Sequence, residues 1–346
     1  TLTFNYTIGS GETSGDLDYA TTSSLVLNSG TIKDAALNAA TLTLASPGAT
    51  NSLRANKDLI VDTSVPTISS VSLNAANSEL TVTFAEDVYN TNGGSGDLEV
   101  ADFALSISGG AAGVNATPAS ITKTSQSIWV LGLTLTGGTA NGSETLTVVP
   151  AAGTAIYDKA GNAASTSQSN NTASLTEKIL PTVTNVTSTT SDGSYKQGDV
   201  IAITVVFSEV VNVVESGGTP TLTLNNTSGT NPAVDYSSGT GSNTLTFNYT
   251  IGSGETSSDL DYAATSSLAL NSGTIKDAAL NAATLTLASP GATNSLGANK
   301  ALIVDTTVPT ITGVTSTTSD ASYKQGETIA ITVVFSEVVN VVESGG

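Results

Sequence analysis

The sequence predicts an all-β protein built from tandem antiparallel β-sandwich modules. Three features of the 346-residue chain lead to this class: apolar and polar residues alternate in short runs, helical periodicity is weak, and long stretches are repeated. Alternation with a period of two is typical of strands that bury one face. Many such strands separated by turn residues are typical of a sandwich or a barrel.

The alternation is clearest in one run, where Ile201, Ile203, Val205 and Phe207 point to one face and the residues between them point to the other. The same period recurs in two other runs, at Leu245, Phe247, Tyr249 and Ile251 and at Leu80, Val82 and Phe84. Trp129, the single tryptophan, is in step with Leu131, Leu133 and Leu135. This spacing favours a core anchor over a ligand-stacking residue at the surface.

Internal repeats organise the chain. Residues 1–66 align with residues 244–309 with six differences in 66 positions, and residues 181–218 align with residues 309–346 with five differences in 38. An acidic residue four positions before a proline marks each boundary, at Asp62, Glu177 and Asp305. The boundaries predict four pieces of a protein that extends past both ends. They are the last part of one module (1–65), a complete divergent module (66–180), a second complete module (181–308) and the start of another (309–346).

Composition excludes several kinds of function. The chain has no Cys, His or Met, so the sequence offers no Ser-His-Asp triad, Cys nucleophile or imidazole-based zinc site, and we do not expect an enzyme. Its formal net charge of -19 repels nucleic acid and anionic membrane surfaces and favours cations as partners. The sequence contains no apolar run long enough to insert into a membrane.

Four motifs carry a resemblance to a known family: VVFSEVV (205–211), TLTFNYTIGSGETSSDLDY (244–262), GTIKDAALNAA (273–283) and LIVDTTVP (302–309). Together they resemble the SwmB-type repeat, one of the bacterial immunoglobulin-like modules of large adhesins and other surface proteins. The divergent module carries the matching pieces VTFAEDV (82–88) and AIYDKAGNAA (155–164). The resemblance implies immunoglobulin-like sandwiches and an extracellular location, either at the cell surface or secreted. Glu177 departs from the family by replacing the usual linker Asp, and Ala36-Leu37 stands where Ala-Gly is more frequent.

Acidic residues that recur once per module suggest a metal site. In such a sandwich alternate loops share one end with the linker from the preceding module, so we expect linker and loop carboxylates to converge there. Carboxylate, amide and backbone oxygens are ligands suited to Ca²⁺. The candidate ligands are Glu177, Glu209, Asp259, Asp261, Asp277 and Asn281 for the second complete module, Asp62, Glu86, Asp158 and Asn162 for the divergent one, and Asp305 and Glu337 for the last piece.

Other interpretations of these residues remain open. Asp and Asn also form turns through their own side chains. Paired carboxylates hydrolyse glycosides in some enzymes, but here they recur at loop ends without an aromatic-lined cleft. An intramolecular isopeptide bond needs a buried lysine, whereas Lys196 and Lys324 lie in the turn-like sequence SYKQG.

The sequence leads to one functional hypothesis and two alternatives. The first is a non-catalytic stalk or adhesin spacer of an extracellular bacterial protein, in which neighbouring modules of the same chain are stiffened by calcium. The second is a self-assembling filament, sheath or surface-layer subunit whose partners are identical chains. The third is direct binding of a glycan or protein receptor, for which the divergent module with its loop at residues 90–96 is the better candidate.

Overall fold

The computed structural model describes residues 1–226 and 231–343, so the last three residues of the piece 309–346 lie outside the described part. The chain divides into two compact units, Thr1–Ile179 and Leu180–Gly346. In the described residues the regular structure is strands, two four-residue α-helices and one 3₁₀ turn. The predicted all-β class with antiparallel sheets is therefore confirmed.

The first piece of the first unit, residues 1–65, contains helix α1 (Leu53–Asn56) and isolated β-bridges but no strand. Ser52 caps α1, because its hydroxyl accepts a hydrogen bond from the backbone N of Ala55 at 3.2 Å. Many apolar side chains of this piece are exposed.

Residues 66–180 form three antiparallel sheets around one core. The strands are β1 (Ile68–Leu73), β2 (Glu79–Phe84), β3 (Phe103–Ser108), β4 (Ala112–Val114), β5 (Ser120–Lys123), β6 (Ile128–Gly132), β7 (Leu135–Gly137), β8 (Thr145–Pro150) and β9 (Thr172–Ser174), with a 3₁₀ turn at Val100–Asp102. Their orders are β1-β2-β6-β5, β3-β8-β9 and β4-β7. Trp129 is 1% exposed and lies opposite Val82 across the β2–β6 pair, which confirms it as a core anchor.

The second unit contains a larger sheet. Its elements are β10 (Val183–Ser188), β11 (Gly193–Tyr195), β12 (Val200–Val214), β13 (Thr221–Asn225), β14 (Ala233–Ser238), β15 (Ser242–Thr250), β16 (Asp261–Tyr262), β17 (Leu268–Ala269), β18 (Thr274–Lys276), α2 (Leu296–Asn299), β19 (Leu302–Val304), β20 (Ile311–Ser316) and β21 (Ile331–Phe335). The sheet has the order β10-β12-β15-β14-β13-β16, with β17 beside β13 and β18 beside β12. Strands β11 and β19 pair in parallel, which the antiparallel expectation did not include.

Strand β12 has two sets of partners. Its first half lies between β10 and β15, and its last residues pair with β18. The register with β15 shifts between Val206 and Val211, as in a β-bulge, and Glu209 lies within this irregular stretch. The inward-facing residues predicted from the alternation, Ile201, Ile203, Val205 and Phe207, are all buried.

Strands β20 and β21 form a two-stranded sheet that repeats the β10–β12 pair. Val314 pairs with Val333 as Val186 pairs with Val205, and the register shifts at the corresponding place. Within the described part of the chain, no helix has the length and apolar character needed to cross a membrane.

Candidate metal centre

Three carboxylates of the first unit lie close together. Asp62, Glu86 and Asp158 each offer one carboxylate oxygen, and these oxygens lie within 4.8 Å of one another. Asp158 is buried, whereas Asp62 and Glu86 are half-buried. The sequence-predicted convergence of the linker residue with two loop residues is therefore present in this module.

Backbone pairing brings the three segments together. Ala85, next to Glu86, donates its backbone N to the carbonyl oxygen of Thr67 at 2.9 Å, which ties the end of β2 to the entering segment. Tyr89 and Tyr157 exchange two backbone hydrogen bonds of 2.7 and 2.8 Å. The second contact aligns the chain after Glu86 with the chain just before Asp158.

Asn162 shapes the turn that carries Asp158. Its backbone N donates to Asp158 Oδ1 at 2.8 Å and its side-chain Nδ2 donates to Asp158 Oδ2 at 2.7 Å. The same Nδ2 also donates to the carbonyl oxygen of Asp62 at 3.0 Å. Asn162 was predicted as a metal ligand, but its amide nitrogen faces the carboxylate. The Asn162 side chain therefore links the turn at Asp158 to the entering segment at Asp62, and we call this link a clamp.

The loop at residues 90–96 covers this turn. Gly161 has a φ of 93°, and a Cβ atom there would collide with the side chain of Asn92. A Cβ atom at Gly94 would lie 2.7 Å from the Cα atom of Lys159. Glycine at both positions lets the loop approach the 158–162 turn closely.

Electrostatic repulsion acts on Glu86. Burial raises the pKa of Glu86, and the negative charges of Asp158, Asp62 and Asp87 raise it further. Asp87 was not among the sequence-predicted residues, although its position next to Glu86 is the signal that identifies it. Crowded carboxylates favour either a proton or a cation among them.

In the second unit the same turn recurs at Asp277 and Asn281. Asn281 donates to Asp277 through its backbone N and its Nδ2, both at 2.8 Å, and Asp277 is buried beyond the end of β18. Glu209 is half-buried in the irregular part of β12. Glu177 belongs to the first unit, where its carboxylate accepts a hydrogen bond from the backbone N of Ile179.

Asp259 and Asp261 occupy a different place from the one expected. Asp261 is buried and accepts hydrogen bonds from the backbone N of Tyr262 at 2.9 Å and of Gly291 at 2.8 Å. Both carboxylates face Gly297 of α2. In the described residues neither belongs to a group of three acidic side chains, so their expected convergence with Glu209 and Asp277 is wrong.

The candidate ligands of the last piece, Asp305 and Glu337, lie in different local environments. Asp305 Oδ1 accepts a hydrogen bond from the backbone N of Thr307 at 2.9 Å. Glu337 Oε1 is buried without a hydrogen-bond partner. Among described residues these two carboxylates join no group of three. Lys196 and Lys324 are exposed, as their turn-like sequence predicts.

A further copy of the turn was missed by sequence reasoning. Asn38 donates to Asp34 through its backbone N at 2.8 Å and its Nδ2 at 2.9 Å, with both residues exposed. The D-x-x-x-N spacing shared with Asp158 and Asp277 is the signal that finds it. This turn therefore forms with or without neighbouring carboxylates.

No family model matches the chain, and no curated protein matches it. Among solved structures, domains 1–6 of the surface layer protein SbsC are similar to it, with 14% sequence identity and a TM-score of 0.25. The match covers 79% of this chain and 32% of that one, so the chain spans about a third of its length. At this TM-score the match carries no argument about function.

Proposed function

We propose that this chain is a non-catalytic structural stretch of an extracellular bacterial surface protein, in which a bound Ca²⁺ ion stiffens the entry to a β-sandwich module. The observation that carries the proposal is the group formed by Asp62, Glu86 and Asp158. Asp62 precedes the module at residues 66–180, whereas Glu86 and Asp158 lie on two loops of the module. A cation among them joins the entering segment to the module at one point.

The geometry suits a large, hard cation. Ca²⁺ binds oxygen ligands at about 2.3 to 2.6 Å, so two ligands of one ion lie at most about 5 Å apart. The three carboxylate oxygens meet this condition, since they lie within 4.8 Å of one another. Two carboxylates at about 5 Å repel by roughly 3 kcal/mol at an effective dielectric near 20. A divalent cation removes this repulsion and replaces it with attraction.

The mechanical consequence follows from the position of Asp62. Hydrogen bonds from Asn162 and Ala85 already hold the entering segment at Asp62 and Thr67. Coordination of Asp62 by the same ion as Asp158 adds a further link that fixes the direction in which the chain enters. In an array each module contacts mainly its neighbours, so fixing each joint stiffens the whole array. A spacer or stalk needs this property, and it needs no catalytic group.

A calcium titration tests the proposal. Thermal unfolding followed by the fluorescence of Trp129, in the core of this module, is compared in Ca²⁺ and in excess chelator. We expect a higher Tm in Ca²⁺, since a ligand that binds only the folded state stabilises it. The double variant Glu86→Gln, Asp158→Asn should lose this difference.

The matched control is Asp34→Asn, which alters the same D-x-x-x-N turn at an exposed position outside any group of three described acidic residues. It should keep the full response to calcium. Superimposable unfolding curves of the unsubstituted chain in Ca²⁺ and in chelator contradict the proposal.

A further inference from the structure

Two tyrosines, Tyr89 and Tyr157, lie side by side on the divergent module and are called the tyrosine pair below. They are directly opposite each other in an antiparallel bridge and exchange two backbone hydrogen bonds. Val88 and Ile156, the residues before them, are fully buried. Because side chains alternate between the two faces of a strand, both tyrosines point to the outer face, where opposite Cβ atoms lie about 5.5 Å apart. Both side chains are half-buried, so part of each remains in solvent.

The hydroxyl groups of the tyrosine pair are available to a ligand. Neither side chain makes a hydrogen bond to any described residue, and neither hydroxyl is among the buried polar atoms that lack a partner. The chain has nine tyrosines, and the hydroxyls of the other seven each make a hydrogen bond within the protein. Tyr89 and Tyr157 therefore differ from the tyrosines that are held by the fold itself.

The second complete module has other residues at these two places. Asn212 pairs with Lys276 there, as Tyr89 pairs with Tyr157. In residues 1–65 the place of Tyr157 is taken by Lys33. The aromatic pair is therefore particular to the divergent module, and this part of the fold forms without it.

The loop at residues 90–96 adds polar groups beside the tyrosine pair, and it consists of Asn, Thr, Gly and Ser. Thr91 Oγ1 donates a hydrogen bond to the carbonyl oxygen of Ser95, and these two residues also form a β-bridge that closes the loop. The loop rests on the turn at residues 158–162. Asn92 is exposed, and its amide makes no hydrogen bond to a described residue. A loop that is already closed loses little conformational freedom when it binds a ligand.

We propose that the tyrosine pair and the loop at residues 90–96 bind a neutral saccharide. A sugar ring has a face of C–H groups that packs against an aromatic ring, and it has hydroxyls that need hydrogen-bond partners. The two phenolic hydroxyls and the Asn92 amide are such partners, since each can donate and accept. Tyr, Asn, Ser and Gly together are typical of recognition loops, in which Tyr supplies rigid contact area and the others supply adaptable hydrogen bonds.

A neutral saccharide fits this surface better than a protein or an anion does. Between residues 66 and 178 no large apolar side chain is exposed, so the tyrosine pair lacks the apolar surroundings that form the core of a protein interface. Lys159 lies beside the loop, but Asp87 is exposed two residues before Tyr89, and the chain has a net charge of -19. This excess of negative charge disfavours a sialylated or sulfated glycan.

Saturation-transfer NMR tests the proposal, with maltose, cellobiose, lactose and mannobiose as probes. The 346-residue chain is used in excess chelator, because the inference does not rest on the proposed cation function. We expect saturation transfer to at least one of these sugars. Tyr89→Asn and Tyr157→Lys should each weaken its binding by about tenfold, because each removes one ring contact. Both substitutions introduce the residue of the second complete module, and Trp129 fluorescence with far-UV circular dichroism confirms that the variants are folded.

Tyr157→Phe and Tyr195→Phe form a matched pair of variants. Each removes the hydroxyl of a half-buried tyrosine, but the Tyr195 hydroxyl donates to the carbonyl oxygen of Ser191 in the other unit. Tyr157→Phe should weaken sugar binding, and Tyr195→Phe should leave it unchanged.

Three results overturn the proposal. The first is saturation transfer to none of the four sugars, and the second is transfer that persists unchanged in the double variant Tyr89→Asn, Tyr157→Lys. The third is equal binding to a glycoprotein with neutral glycans before and after enzymatic deglycosylation, because the chain then recognises a protein surface. If sugar binding fails while the calcium response remains, only this inference is lost.

Discussion

Asn162 donates hydrogen bonds to the carboxylate of Asp158 from its backbone and its side chain, at 2.8 and 2.7 Å, and the side chain also reaches the carbonyl oxygen of Asp62. Asn162→Ala removes both side-chain bonds but keeps the backbone bond. We expect the free energy of unfolding to fall by about 2 kcal/mol, because one of the lost bonds goes to a charged group. Urea unfolding followed by Trp129 fluorescence measures it.

Asn38→Ala is the matched control for this variant. It removes the same side-chain bond to an aspartate, but at an exposed turn where water replaces the lost partner. Its effect should stay below about 0.5 kcal/mol, as for other exposed positions. Equal effects of the two variants would show that Asn162 does not act as a clamp on Asp62.

We expect Glu144 to contribute to the acid stability of the same module. It is fully buried, and its carboxylate accepts hydrogen bonds from the backbone N of Ala111 at 2.9 Å, of Ala112 at 3.2 Å and of Asn141 at 3.0 Å. Burial raises the pKa of this carboxyl, but the backbone hydrogen bonds outweigh burial and hold the pKa of Glu144 below its ordinary value. Its contribution to stability is therefore complete above pH 4.5, the ordinary pKa of a glutamate, and is lost as the pH falls toward the lower pKa of the folded state.

Glu144→Gln should reduce stability at neutral pH, because a neutral amide accepts these hydrogen bonds less strongly. It should also flatten the fall in stability below pH 4.5. Urea unfolding of both chains across the acid range, followed by Trp129 fluorescence, gives the comparison. Glu79→Gln, at an exposed glutamate of the same module, is the control and should keep the acid dependence of the unsubstituted chain. Parallel pH profiles for Glu144→Gln and the unsubstituted chain would contradict this assignment.

One difference between the two copies of the repeat has an electrostatic consequence. In residues 1–65 Arg54 Nε lies 3.1 Å from Asp16 Oδ2, whereas the corresponding residues of the complete module are Gly297 and Asp259. Burial raises the pKa of Asp259, and the charge of Asp261 raises it further. Gly297→Arg should lower the pKa of Asp259, with a stability gain below about 1 kcal/mol because the pair is near the surface. Titration of the carboxyl resonances by NMR measures the pKa.

Gly297→Ala separates this charge effect from helix propensity, since it removes the glycine of α2 without adding a charge. It should not lower the pKa of Asp259, because the added methyl group lies against the two carboxylates and carries no charge. If Gly297→Arg and Gly297→Ala give the same pKa, the arginine forms no ion pair in this copy.

Much of the fold could be predicted because it depends on the pattern of residues that are close together in the sequence. The alternation from Ile201 to Phe207 identifies both the strand and its buried face, and linker and loop positions identified Asp62, Glu86 and Asp158. Other features depend on distant partners. Residues 1–7 have the same sequence as part of β15 but form no strand, because strand formation needs a neighbouring edge. The place of Asp261 depends on Gly291, 30 residues away, and the orientation of the Asn162 amide is not encoded in residue type.

The two copies of the repeat contain the same tyrosine–glutamate hydrogen bond at different degrees of burial. Tyr249 donates its hydroxyl to Glu255 Oε2 at 2.6 Å, and Tyr6 makes the same bond of 2.6 Å to Glu12. Tyr249 is 2% exposed, whereas Tyr6 is more than half exposed, so one interaction occurs in two solvent environments. Tyr249→Phe should lower the free energy of unfolding of its module by about 1 to 2 kcal/mol, because the buried hydroxyl's hydrogen bond to a charged group is lost and only the backbone N of Gly252 still donates to Glu255 Oε2.

Tyr6→Phe should change the free energy of unfolding by less than about 0.5 kcal/mol, because water can donate to the exposed carboxylate of Glu12 in place of the lost hydroxyl. Urea unfolding followed by far-UV circular dichroism gives both values. Equal changes in the free energy of unfolding for Tyr249→Phe and Tyr6→Phe would show that burial does not set the strength of this hydrogen bond.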